Sequence, residues 1–282
     1  MAQKRKHSKP GQRGEPSHHL KIAGLTFQTT QLHCIDQAAT AFPSYRSTAM
    51  HKAIERGLRT YFYLGMGLLV LAVVLLGFLP RLDKGLLHPE LPPPFILYIH
   101  SAVFSAWVII LIAQSLLARS ANVRLHRRLG WSGVAVGAAL PFLGIATALV
   151  MQKWRAAQGP ENPAFLAVSF NDMLSFGLTF ALAVYWRKRI EYHRRLMVMA
   201  TCCLTVAAIA RFPAGWVPAG WWYAGVDLLI ILGVARDWLV QKRVHEVYRY
   251  GLPCLVVGQL AAMYLFLQAP PAWMSFTSSL VA

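Results

Sequence analysis

Polar and apolar positions divide the chain into a polar head and seven apolar blocks. From Met1 to about Thr48 the residues are rich in Lys, Arg, Ser, Gln and His, with no apolar residues at helical spacing. That composition predicts a basic, disordered tail over residues 1–58. The tail has no apolar core of the kind a signal peptide needs. Met50, from which HKAIERGLRT leads straight into the first block, offers an alternative start of translation.

The blocks run approximately Tyr61–Leu79, Phe95–Leu117, Trp131–Met151, Phe165–Trp186, Leu196–Phe212, Trp216–Val234 and Leu252–Leu267. Each approaches the roughly 20 residues with which a helix crosses about 30 Å of hydrocarbon. Residues 59–282 therefore read as an all-α membrane domain of about seven transmembrane helices. Trp and Tyr gather near several block ends, including Tyr61, Trp131, Trp186, Trp216 and Trp221, as interfacial belts do.

Composition supports this reading. Hydrophobic residues make up 56% of the 282 and charged residues only 14%, against about a quarter charged in soluble domains. The formal charge of +17 would raise nucleic acid as a partner in a soluble protein, but its distribution points to the lipid bilayer instead. Ten of the 28 Lys and Arg precede the first block. Thirteen more lie in or beside the loops after blocks two, four and six, and five (Arg81, Lys84, Lys153, Arg155, Arg211) fall on the other side. The positive-inside rule then predicts an N-in, C-out protein of a bacterial cell inner membrane. The four cysteines, Cys34, Cys202, Cys203 and Cys254, contain no CxxC pair. Neighbours on a helix point about 100° apart, so Cys202 and Cys203 read as small packing residues.

A weak repeat runs through the domain. LHRRLGW opens block three, EYHRRLM opens block five, and RVHEVYRYG precedes block seven. His126, His193 and His245 thus open successive blocks, as if one helix were followed by three helical hairpins.

Polar side chains inside lipid are costly, so each needs a reason. His100, Asp172 (with Asn171) and Asp227 lie on blocks two, four and six, each well before the basic loop that follows. Arg211 ends block five, and Gln114 and Gln259 complete the set. His100, Phe104, Trp107, Leu111 and Gln114 share one helical face, as do Asp172, Ser175 and Thr179. His100, Gln114, Asp172, Arg211 and Asp227 are accordingly the candidates for a cavity that binds or passes a small solute or proton. The competing reading is polar glue, with Asp172 paired to Arg211.

His126, His193 and His245 sit beside arginines at the cytoplasmic interface, where they set topology and meet lipid phosphates. A haem or metal held by two of them is the alternative. His100 lies about 25 Å from that level, counted at 1.5 Å per residue, and has no histidine partner at its own depth. No HExxH, phosphate-binding glycine loop or GxSxG occurs, so no catalytic motif argues for an enzyme.

The order His100, Trp107, Gln114, LHRRLGW, Asp172, HRRLM, Ala210-Arg211, Asp227 and RVH resembles an uncharacterised family of bacterial seven-helix membrane proteins. The resemblance covers roughly residues 61–273 and implies the fold without an activity. More remotely, the histidine-at-helix-start layout is similar to small membrane proteins implicated in cytochrome oxidase assembly, and to the cytochrome b561 group. The latter departs at His100, so haem ligation is not implied there. A redox or assembly protein and a structural accessory subunit stand as the two alternatives to solute binding.

Overall fold

A computed structural model describes residues 23–281 except 214 and 219, with side chains from Met50 onward. The chain divides into two units, Met1–Ile54 and Glu55–Ala282, each taken by itself. Helix α1 (Ala23–Phe78) begins within the stretch that reads as a structureless tail, and the first 22 residues of that tail lie outside the described residues.

Every regular element among the described residues is helical. After α1 come α2 (Phe95–Arg119), α3 (Val123–Ala156), α4 (Leu166–Tyr185) and α5 (Ile190–Cys203). The short α6 (Val206–Ile209), then α7 (Trp222–Gln241), α8 (Glu246–Gln268) and α9 (Pro271–Val281) complete the chain. Five stretches are long and apolar enough to cross a membrane: Met50–Arg81, Phe95–Arg119, Val123–Ala156, Pro163–Tyr185 and Glu246–Gln268.

Blocks five and six differ from their sequence reading for identifiable reasons. Block five breaks at Leu204–Thr205, where α5 stops and α6 restarts. There the Thr205 hydroxyl donates to Cys202 O at 2.7 Å, and Leu204 N and Thr205 N reach only three residues back. Such side-chain competition for helix carbonyls tightens and bends a helix. Block six starts later than its pattern suggests. Pro213 and Pro218 precede it, and Gly215 (φ 88°) and Gly220 (φ 84°) take left-handed turns that hold a loop up to Trp222. Helix α7 carries Asp227, Arg236 and Asp237 along its 20 residues.

The packing is antiparallel and close. α2 lies along α3, α3 along α4, and α4 along both α5 and α8. Gly133 and Gly137, one helical turn apart, face different neighbours: Ile110 of α2 and the Phe180 ring of α4. A Cβ on Gly137 would overlap that ring, so only glycine admits this approach. Trp107 is 1% exposed and meets Phe176 and Phe180 edge-on, each at 5.4 Å. Its indole N–H donates to the Thr201 hydroxyl at 3.3 Å, tying α2 to α5. Cys202 and Cys203 are buried, as packing residues should be, whereas Cys254 is exposed. Phe95, Ile109, Phe142, Leu174 and Val257 also point outward, a surface suited to lipid contact.

The loops after α2, α4 and α7 share one end of the bundle, here termed the basic end. Three contacts fix that statement, the first being Arg119 at the end of α2, which donates to the Tyr61 hydroxyl of α1 at 3.3 Å. Tyr192 at the start of α5 donates to Glu246 at the start of α8 at 2.5 Å, and Arg59 of α1 donates to Val240 O near the end of α7 at 3.0 Å.

Candidate functional site

At the opposite end a cavity of about 960 Å³ opens among α1–α6. His100, Asp172 and Arg211, from three different blocks, all line it, with Arg81, Trp107 and Thr205. The His100 ring stacks on Phe104 at 4.0 Å, and its buried Nδ1 has no hydrogen-bond partner among the described residues. A buried polar nitrogen left unpaired is rare in folded proteins and marks a place where a ligand or water completes the bonding.

Asp172 is anchored from the far side. Its Oδ1 accepts from the Tyr223 hydroxyl at 2.8 Å, and that hydroxyl accepts from Asn171 Nδ2 at 3.0 Å. Arg211 donates to Ala207 O at 2.6 Å and covers the Phe78 ring at 4.9 Å. Arg81 donates to Arg211 O at 2.6 Å. No ion pair joins Asp172 to Arg211 among the described residues, so the pairing expected of polar glue is replaced by a tyrosine–carboxylate bond.

Two other candidates lie apart from the cavity. Asp227 accepts from Gln259 Nε2 of α8 at 3.0 Å, which explains both polar residues as an interhelical pair. Gln114 sits at the basic end, where its Nε2 donates to His126 O at 3.2 Å and its Oε1 lacks a partner. The face His100–Gln114 of α2 therefore spans two environments, one at each end of the bundle.

His126 and His193 occupy equivalent places in their hairpins. His126 Nδ1 lies 3.4 Å from Gln114 O and His193 Nδ1 lies 2.8 Å from Ala183 O. A carbonyl only accepts, so each Nδ1 carries a proton, and in the neutral ring Nε2 is the nitrogen left to accept or ligate. The third histidine breaks the repeat. His245 caps α8, its Nδ1 accepting from Val247 N at 3.2 Å, against the edge of Tyr192 at 4.6 Å. Partial burial and the nearby Arg195 charge hold this imidazole below its ordinary range, which keeps the accepting nitrogen free. Among the described residues no group of three or more His, Cys, Asp or Glu could hold a metal ion.

Arg194, Arg195 and Arg236 belong to the thirteen cations in or beside the loops after blocks two, four and six, but the structure uses them differently. Arg195 and Asp237 are fully buried and bound through two bonds, Nε to Oδ2 at 2.8 Å and Nη2 to Oδ1 at 2.7 Å. Arg195 Nη1 also reaches Glu191 Oε2 at 2.5 Å, and Arg236, 3% exposed, donates to Asp237 Oδ1 at 2.9 Å. Arg194 and Arg236 both cover the Tyr63 ring, at 4.9 and 5.5 Å. The signals for this network lie in the sequence, as Glu191 and Arg195 four apart and Asp237 beside Arg236, but they fall on separate helices.

No family model, curated protein or solved structure matches this chain.

Proposed function

We propose that this chain is a seven-span, N-in and C-out protein of a bacterial inner membrane that binds a small solute in its outer-half cavity. The observation that carries the reading is the unpartnered Nδ1 of His100 in a cavity that Asp172 and Arg211 also line. A donor–acceptor imidazole, a carboxylate and a guanidinium on three helices supply complementary groups for one polar ligand. Trp107, packed on Phe176 and Phe180, closes the cavity toward the basic end, which favours binding over open passage. In this reading α5 with α6, and α7, are the two spans added to the five apolar helices, and Asp172 with Tyr223 serves as the proton-exchanging pair.

Cysteine accessibility tests it. Ser101→Cys and Ser105→Cys replace cavity-lining hydroxyls in a background lacking the native cysteines. Both are expected to react with a small charged thiol reagent applied outside intact cells, whereas Ile109→Cys, 65% exposed on the bundle exterior, should stay unlabelled in lipid. Unreactive Ser101→Cys and Ser105→Cys would sink the proposal.

A second reading rests on His126 and His193. Each imidazole has its Nδ1 on a carbonyl of the preceding helix, and the two rings lie close enough to interact electrostatically, the arrangement that orients Nε2 for a metal centre. His126 and His193 are the residues that would hold a haem, which would supply one-electron chemistry. A reduced-minus-oxidised spectrum of purified protein decides it: haem bands lost in His126→Ala and His193→Ala support this reading, and a featureless spectrum removes it.

A further inference from the structure

The five Lys and Arg assigned to the outer side are Arg81, Lys84, Lys153, Arg155 and Arg211. Four of these five, all but Lys153, line this cavity. The positive-inside rule disfavours cations on that side, so their concentration at a single mouth calls for a local cause. Arg81 and Arg211 spend one nitrogen each on a backbone carbonyl. No carboxylate pairs with Arg81, Lys84 or Arg211 among the described residues. Arg155 has only a long contact, 3.9 Å, to Glu161. Glu90 and Asp172 are the acidic residues of the lining, and Asp172 is held by Tyr223.

Below this charged mouth the lining is mainly apolar, with the hydroxyls of Ser105, Thr201 and Thr205 and the Tyr223-held carboxylate of Asp172 set among it. Val70, Val74, Phe104, Val108, Met173 and Leu204 form the deeper walls, and Trp107 the floor. From Leu97 down to Trp107 on α2 the wall runs ten residues, a depth of about 15 Å at helical rise. The volume, about 960 Å³, lies at the upper end of the roughly 300–1,000 Å³ usual for small-molecule sites. A cationic rim over a long, mainly apolar pit matches a ligand with the opposite arrangement.

We infer that the solute is a single-chain amphiphile with an anionic head, a carboxylate or phosphate, which meets Arg81, Lys84, Arg155 and Arg211 while its chain descends to Trp107. This deepens, and rests on, the cavity-binding reading. The unpaired Nδ1 of His100 lies a short way below the rim, where a head-group oxygen or its bound water reaches it.

The test uses the full chain in phosphatidylcholine nanodiscs, tritiated laurate as probe, and empty discs as blank. Saturable binding above the blank is expected, displaced by dodecyl phosphate but not by acetate or inorganic phosphate at equal concentration. Dodecanol, which lacks the charge, is expected to compete about tenfold more weakly, the loss of one charged hydrogen bond. Arg211→Gln should weaken laurate by about the same factor and leave dodecanol unchanged. Because Arg211 also braces its own helix, the Lys84→Gln, Arg155→Gln double variant provides an independent reading of the same effect. Displacement by acetate or phosphate as strong as by dodecyl phosphate, or equal competition by dodecanol, overturns the amphiphile and leaves the cavity reading standing. Absence of saturable binding overturns the amphiphile too. The cavity reading falls with it only where Ser101→Cys is also closed to the external reagent.

Discussion

Arg195 and Asp237 place two opposite charges where neither water nor lipid reaches them. Desolvating two ions costs several kcal/mol, and the bidentate geometry with Glu191 and Arg236 in support offsets it. Removing one partner strands the other, so Asp237→Asn or Arg195→Met should each destabilise the protein by about 3–5 kcal/mol. The double variant Arg195→Met, Asp237→Leu should recover most of that loss, measured as unfolding midpoint in detergent. A double variant no more stable than the singles would refute the pair as the source of the cost. His245 gives a pH-dependent counterpart. Its folded-state pKa lies below the ordinary value, so the neutral ring stabilises the fold. That contribution is complete above about pH 6.5 and is lost as pH falls from there toward the folded value. His245→Ala should cost about 1 kcal/mol of capping at pH 8 and less at low pH, while His245→Asn should hold its cap across the range. Equal pH profiles for wild type and His245→Asn would contradict the assignment.

The helices are joined by close contacts that single residues permit. Gly137 lets α3 approach the Phe180 ring, and Gly144 does the same for Met173. Gly137→Leu should separate α3 from α4 and collapse the wall between cavity and basic end. Gly137→Ala combined with Phe180→Leu should restore packing that Gly137→Ala alone loses, read by proteolytic resistance. In the sequence the α3–α4 contact leaves only two glycines four apart, Gly133 and Gly137, a spacing that names no partner. The break in block five was not legible, because Thr201 and Thr205 look like ordinary members of an apolar run. Their hydroxyls act only once they bond to Met197 O and Cys202 O. In both HRRL strings the histidine bonds a carbonyl of the preceding helix, whereas at RVH the side chain of His245 caps its own helix instead.

For the whole molecule, the number of crossings is decided by α5–α6 and α7, the elements that the length and hydropathy criteria leave out. Reporter fusions resolve it. With seven spans, an alkaline phosphatase joined after Trp216 should be active outside, and one joined after Arg243 inactive within. If both report the cytoplasmic side, α5–α6 and α7 do not cross and the chain has five spans. The binding proposals share this dependence, since the cavity mouth, with Arg81 and Arg211, must face outward for external solutes to reach it.

What the sequence determined by itself is the helical class, the five long apolar helices and the end at which positive charge collects. These depend on runs of residue type and on charge counts, which need no knowledge of neighbours. It also singled out His100, Asp172 and Arg211, because a polar group in an apolar run is conspicuous wherever it lies. Only the tertiary structure decided that these three share one cavity while Asp227 pairs with Gln259 and Gln114 turns to the basic end. It alone decided that Arg195 lies buried on Asp237 while the corresponding Arg128 of the first HRRL string is exposed. The physical reason is common to both cases: a polar side chain takes its role from the partner that desolvation forces it to find, and that partner sits on another helix.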